Sequence, residues 1–311
     1  MVSIARLATA VLLSSGMYAA ALVLGPVATP LLLLVPLPGL VLAAREPFVA
    51  ASLWCCLTIG VIAVALGAEA APGFALGLGV PALAVALGIR RGWSFDRTAL
   101  AGIVGWLIGV TCLAWLAYGD VPGMIGAVRE QLANSVALAL STPASVGSVS
   151  SPTPLVDGDQ AALLDALLQI LPALIVLTGA LTVIANLILL RSLTGAAQDV
   201  SLRHWRTPEA LIWVLIVTGF GMFLTEPWVS LTARNLFIVI LACYLCQGLA
   251  IVAYYLDRFR LPRGIRIVGY ALIAVQHVVT VMVLALGVFD LWGDFRRLSA
   301  PADVRFNADN K

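Results

Sequence analysis

The chain has 311 residues, of which 61% are hydrophobic and 11% are charged, and its mean hydropathy is +1.04. Soluble domains carry about 25% charged residues, so this composition excludes an ordinary soluble domain and predicts an integral membrane protein. The formal net charge is only +2 and the basic residues are scattered between apolar runs, so we expect no nucleic-acid partner.

Apolar runs long enough to cross a bilayer recur along the whole chain. A span needs about 20 residues, with a tolerance of roughly 17 to 25. Nine runs qualify, at residues 7–24, 27–44, 48–67, 73–89, 98–118, 167–190, 209–225, 235–256 and 267–289. Only Gly25 and Pro26 separate the first two, which form either two spans or one span and a re-entrant piece. The predicted fold class is therefore all-α, a polytopic transmembrane helical bundle of eight or nine spans.

The second run contains Pro36 and Pro38 near its centre. A proline inside a helix removes a backbone N–H and costs about 3 kcal/mol or more. In lipid, the freed carbonyls need partners in neighbouring protein or in a water-filled cavity. Transporters use interrupted helices of this kind at mid-membrane sites, whereas the alternative is a structural kink, because proline is common in membrane helices. A second interruption is predicted at Pro81 in the fourth run.

The composition changes between the fifth and sixth runs. Apolar residues recur at helical spacing from Met124 to Leu140, opposite Arg129 and Asn134, as in a helix that lies in the membrane interface. Residues 141–160 are rich in Ser, Pro and Gly and predict a flexible linker. One integral membrane domain is thus divided into an N-terminal half with the interfacial helix, residues 1–140, and a C-terminal half, residues 161–311.

Basic residues predict the orientation. With the N-terminus in the cytoplasm, twelve of the eighteen Arg and Lys residues lie on the cytoplasmic side and six on the other. The positive-inside rule therefore favours a cytoplasmic N-terminus, and we expect a multi-pass protein of the inner (plasma) membrane. A basic tail would then follow the ninth run on the outside, unless residues 289–298 lie flat at the interface or the span count is wrong by one.

Polar side chains lie within three of the later spans. Thr182 and Asn186 continue a stripe from Thr178 along one helix face, Gln247 lies in the eighth span, and His277 lies near the middle of the ninth. One interpretation is a solute site, at which these residues meet the break at Pro36 and Pro38 and donate or accept hydrogen bonds. The other is adhesion between helices, worth roughly 0.6 kcal/mol per contact.

Four arginines, Arg258, Arg260, Arg263 and Arg266, lie in the short polar segment between the eighth and ninth spans. Arginines beside a membrane surface attract anionic lipid at about 1 kcal/mol each. The segment is therefore predicted to contact lipid, and the alternative is a cytoplasmic partner protein.

Motifs of catalysis are missing from the sequence. It has two histidines and contains no HExxH, GxSxG or GxxxxGK[ST] pattern. The five cysteines lie in apolar runs, where a thiol acts as a small hydrophobe. We expect no enzymatic activity, no metal and no cofactor, and any use of ATP would require a separate subunit.

The C-terminal third resembles a known family. The stretches "LRHWRTPEALIWVLIVTGFGMFL", "ARNLFIVILACYLCQGLAIVAYYLDRFRLPRGIRIVGYALI" and "LGVFDLWGDFRRL" carry the resemblance, over about residues 202–298. They resemble the YybS-like family of uncharacterised bacterial membrane proteins, which is distantly similar to the substrate-binding components of energy-coupling-factor transporters. The most specific positions are Trp205, Pro208, Asn235, Gln247, Gly248, Asp290, Trp292, Asp294 and Arg296. The resemblance implies no catalytic residue.

Together these features predict a transporter-like protein of the inner membrane that binds or translocates a small solute at a mid-membrane site. Its expected partners are membrane lipids, a small-molecule solute and a separate energising or partner membrane subunit. The alternative is a membrane scaffold or assembly factor that binds another membrane protein.

Overall fold

The computed structural model describes residues 3–141, 157–194, 206–293 and 295–296. This part of the chain is helical and contains no strand, which confirms the all-α class. The α-helices are α1 (Ile4–Leu24), α2 (Thr29–Leu34), α3 (Leu37–Arg45), α4 (Phe48–Leu66), α5 (Ala71–Phe74), α6 (Val80–Arg90), α7 (Phe95–Tyr118), α8 (Val121–Ser141), α9 (Asp157–Thr194), α10 (Leu211–Gly221), α11 (Pro227–Arg258), α12 (Arg263–Val275) and α13 (His277–Gly293).

Six helical segments are long and apolar enough to cross a bilayer. They are α1, α4, Ala71–Arg90, α7, Ala161–Thr194 and α11, and the bent pair of α12 and α13 adds a seventh if it is one span. Two apolar helices are shorter, Pro30–Arg45 and Leu211–Gly221. The structure thus supports a multi-pass membrane protein but does not confirm eight or nine spans. Residues 121–141 do form a helix, α8, and its place at the interface stays a prediction.

The chain forms two compact units, Met1–Ala197 and Gln198–Lys311. Most of the predicted linker, residues 142–156, lies outside the described residues, and α9 begins at Asp157. The predicted division into halves at residues 141–160 stays a prediction.

The core of the N-terminal unit surrounds Trp54 on α4, which is fully buried. Its indole N–H donates to the carbonyl of Ala10 (3.3 Å) and to the hydroxyl of Ser14 (3.2 Å), both on α1. Its ring meets Phe74 edge-on at 5.9 Å between centroids, and a side chain at Gly39 on α3 would collide with it. Helices α1, α3 and α5 therefore all contact Trp54 of α4.

The predicted interruption at Pro81 takes a different form. Residues Ala75–Gly79 make a π-helical turn, and the helical segment Ala71–Arg90 continues through it. A widened turn accommodates the missing proline N–H without breaking the helix. Helix α7 packs closely against this turn, since a Cβ on Gly109 would overlap the carbonyl of Leu76.

In the C-terminal unit, α11 and α13 pack through glycines. A Cβ on Gly248 would overlap the carbonyl of Val283, and one on Gly287 would overlap the carbonyl of Tyr244. The predicted ninth span is not straight, because the chain bends by 100° between α12 and α13 at Gln276.

Candidate functional site

The proline pair in the second apolar run interrupts the helix over a short turn. Helix α2 ends at Leu34 and α3 begins at Leu37, with Val35 and Pro36 between them. Pro36 keeps nearly helical angles (φ −70°, ψ −21°), and Val35 is fully buried. The break is therefore local and lies inside the N-terminal unit, away from its surface.

Side chains of neighbouring helices meet the carbonyls at this break. The Nδ2 of Asn186 on α9 donates to the carbonyl of Leu33 at 2.5 Å and to that of Thr182 at 2.7 Å. The hydroxyl of Ser14 on α1 donates to the carbonyl of Val35 at 2.9 Å. These contacts bring Asn186 and the proline break together, as the hydrogen-bonding needs of a broken helix in lipid require.

The other end of the Asn186 amide has no such partner. Asn186 is 1% exposed, and its Oδ1 accepts no hydrogen bond from any described residue. The amide orientation is fixed because two carbonyls surround the nitrogen, which must be the donor. A buried unsatisfied acceptor costs about 1–3 kcal/mol, so this oxygen is a place for a donor from water or from a ligand.

Thr182, which is also buried, uses its hydroxyl within α9. It donates to the carbonyl of Thr178 at 2.9 Å, while Thr178 itself is exposed. Of the predicted stripe, only Thr182 and Asn186 thus face the interior of the N-terminal unit.

Gln247 lies in the C-terminal unit, within a buried polar group that we call the Asp290 cluster: Thr207, Gln247, Asp290 and Arg296. The Oε1 of Gln247 accepts from the backbone N–H (3.0 Å) and the hydroxyl of Thr207, and its Nε2 donates to Asp290 Oδ2 at 3.0 Å. Arg296 donates to the same oxygen at 2.8 Å. Helices α11 and α13 and the residues that precede α10 are thereby joined.

The Asp290–Arg296 ion pair is deeply buried. The side chains are 1% and 0% exposed, and Asp290 Oδ1 also accepts from the N–H of Phe295 at 3.0 Å. The desolvation cost of a buried ion pair is offset only when further hydrogen bonds accompany the pair, and here both oxygens of Asp290 accept such bonds. The ninth predicted run ends at residue 289, just before Asp290, and the sequence analysis does not predict this cluster, although Gln247, Asp290 and Arg296 are all among the specific positions of the family resemblance.

His277 has a different environment from Gln247. It is exposed and begins α13 directly after the bend, so it does not lie at the centre of a straight span. Pro36, Pro38, Thr182 and Asn186 belong to the N-terminal unit, while Gln247 and His277 belong to the C-terminal unit. That all six form a single site stays a prediction.

The four arginines lie together where α11 ends and α12 begins. Arg266 pairs with Asp257 at 3.1 Å and donates to the carbonyl of Leu261 at 2.8 Å. Arg258, Arg260 and Arg263 are exposed. Arg266 therefore stabilises the turn between α11 and α12, and the other three arginines are exposed.

Two surface grooves are apolar. One of about 490 Å³ lies between α10 and α11, and the other, of about 430 Å³, is lined by Leu76, Thr111, Cys112, Trp115 and Leu116. Within the described parts of the chain, no three His, Cys, Asp or Glu side chains gather as metal ligands would.

The apolar outer surface, the long apolar helices and the buried polar contacts define a multi-pass helical membrane protein. The family model described as "Predicted membrane protein (DUF2232)" matches residues 8–291, and the chain belongs to this family. No curated protein and no solved structure gives a significant match to the chain.

Proposed function

We propose that the protein is a transporter-like protein of the inner membrane that binds or translocates a small solute beside the helix break between α2 and α3. The observation that carries the proposal is the buried and unpaired Oδ1 of Asn186, next to the break at Pro36 and Pro38. An oxygen of this kind accepts from an N–H or O–H group, so the solute is one that carries such a donor. Asn186 and the chain around the break are the proposed contacts.

The proposal includes the membrane arrangement. The six long helices, the bent pair and the two shorter apolar helices together make nine spans, or eight if the broken segment Pro30–Arg45 is a re-entrant piece. The N-terminus is cytoplasmic, as the distribution of arginines favours. The protein binds without catalysis, and energy for movement comes from a gradient or a partner subunit.

Small molecules that co-purify with the protein test this proposal. The protein would be extracted in mild detergent, and bound solutes would be identified by mass spectrometry after denaturation. We expect a polar solute with the wild type and its loss with Asn186→Leu, which removes the acceptor.

The matched control is Ser14→Ala. This change also removes a donor from a carbonyl of the break but leaves Asn186 intact, so the solute is expected to remain. If Asn186→Leu retains the same solute as the wild type, or if the wild type carries none, the proposal is wrong.

A scaffold or assembly factor is the second candidate. It is favoured by the packing at the break, where protein donors occupy the carbonyls of Leu33 and Val35 and the Trp54 ring fills the space above Gly39. Such contacts are those of polar residues that hold helices together. A stoichiometric membrane-protein partner, found by cross-linking in membranes in the absence of a bound solute, would support this candidate over the first.

A further inference from the structure

Helix α12 is too short to cross a membrane, and the chain bends sharply between it and α13. Its 13 residues extend about 20 Å at 1.5 Å per residue, against about 30 Å for the hydrocarbon core. At Gln276 the chain bends by 100° into α13, which is apolar throughout most of its length. If α13 runs across the bilayer, α12 lies close to the membrane plane.

The two faces of α12 differ in character. Ile265, Val268, Leu272 and Val275 follow one another at helical spacing and are 52%, 67%, 54% and 75% exposed. Arg263, Arg266 and Tyr270 lie on the opposite face by the same periodicity, where Ile267 and Ala274 are exposed aliphatic residues. An apolar row opposite a basic face is the pattern of a helix that lies in the membrane interface.

Positive charge is concentrated at the start of this helix. Residues 257–266 contain four arginines and one carboxylate, that of Asp257, which gives a net charge of +3, and Arg258, Arg260 and Arg263 are exposed. Phe259, 67% exposed, lies among them. A basic group with an exposed aromatic ring suits the headgroup layer of an anionic leaflet.

Exposed apolar residues continue along the chain past the bend at Gln276. Val278, Val281 and Met282 at the beginning of α13 are each at least 60% exposed, as expected for a membrane-spanning helix that contacts acyl chains. Continuity with this surface favours a lipid occupant for the row on α12 over a protein partner.

We propose that Asp257–Val275 is an interfacial anchor that binds an anionic phospholipid leaflet. The aliphatic row of α12 enters the boundary of the acyl chains, about 5–10 Å deep, and Arg258, Arg260 and Arg263 bind headgroup phosphates. This role does not depend on solute binding.

The depth of α12 can be measured in reconstituted full-length protein. A trifluoromethyl-phenylalanine would replace Val268 in one sample and Tyr270 in another, and its 19F relaxation would be followed with dissolved oxygen, which enriches in lipid, and with a nickel chelate, which stays in water. We expect the reporter at 268 to respond mainly to oxygen and that at 270 mainly to nickel. Equal responses at the two positions would overturn the proposal, whether both respond to nickel, as in water, or both to oxygen, as in a re-entrant loop.

Lipid selectivity tests the charged part of the anchor. Native mass spectrometry would count phosphatidylglycerol and phosphatidylcholine retained from mixed micelles. Replacing Arg258, Arg260 and Arg263 together by Gln is expected to lower the preference for phosphatidylglycerol by roughly fivefold per arginine, whereas Arg266 is left in place because it holds Asp257.

Replacing the same three residues by Lys is the matched control. It preserves the charge, so the preference for phosphatidylglycerol is expected to stay within about twofold of the wild type. An unchanged preference in the Gln variant, or its loss in the Lys variant as well, would overturn attraction to the leaflet. In the latter case, Arg-specific recognition by a protein partner would explain the segment better.

Discussion

The Asp290–Arg296 pair offers a direct measure of what holds the C-terminal unit together. In Asp290→Leu, Arg296 loses the carboxylate of Asp290 while its side chain, 0% exposed, stays buried. Gln247 Nε2 and the N–H of Phe295 lose their acceptor in the same step. Removing one partner of a buried ion pair costs about 3–5 kcal/mol, and the two further donors place the expected loss at the upper end of that range.

The assay is the free energy of unfolding, measured by denaturant titration in mixed micelles. The double variant Asp290→Leu, Arg296→Met removes both charges, so we expect it to recover at least about 2 kcal/mol of the loss seen in the single variant. The control is Asp257→Leu, which breaks the more exposed pair with Arg266 and is expected to cost at most about 1 kcal/mol.

Two results would refute this reasoning. One is an Asp290→Leu variant within about 0.5 kcal/mol of the wild type, the range of an ordinary surface substitution. The other is a double variant that is no more stable than the single one.

Two further variants, each with a control, test packing at single atoms by the same titration. Ser14→Ala takes the donor from the buried Val35 carbonyl, and we expect it to cost about 1–3 kcal/mol of unfolding free energy. Its control is Thr9→Ala, which loses an exposed hydrogen bond within its own helix and should change stability by less than about 0.5 kcal/mol. Equal effects of the two variants would contradict the assigned contact. Gly248→Ala places a methyl group on a backbone carbonyl of α13 and should cost about 1–3 kcal/mol or more. Gly269→Ala, with open space around it, should gain up to about 1 kcal/mol, and a neutral Gly248→Ala would show that α11 and α13 do not pack this closely.

Hydropathy predicts the helical class and most helix positions, because the cost of burying polar groups in lipid acts on every residue of a span. It does not predict the bend at Gln276. There the carbonyl of Ile273 accepts from the hydroxyl of Thr280 (2.5 Å), so a local side chain takes the place of the helical N–H of residue 277. An apolar run of 23 residues reads as one straight span whether or not such a contact exists.

The interior contacts depend on pairs that are far apart in sequence. Asn186 meets Leu33 across 153 residues, and Gln247 meets Asp290 across 43. The sequence indicated that the carbonyls near Pro36 need donors, but a single chain without aligned relatives does not tell which donor arrives. The ninth predicted run ends just before Asp290, and its partner Arg296 follows the helix and folds back onto it, a contact that hydropathy does not predict.

The proposed site depends on Asn186 Oδ1, which we expect to accept a hydrogen bond from a solute or from water in the membrane interior. An experimental structure of the protein in lipid nanodiscs, at a resolution that shows ordered water, tests this most directly. We predict non-protein density about 3 Å from this oxygen, beside the turn at Val35 and Pro36. An oxygen that contacts only apolar side chains, or that receives a protein N–H or O–H, would contradict the account.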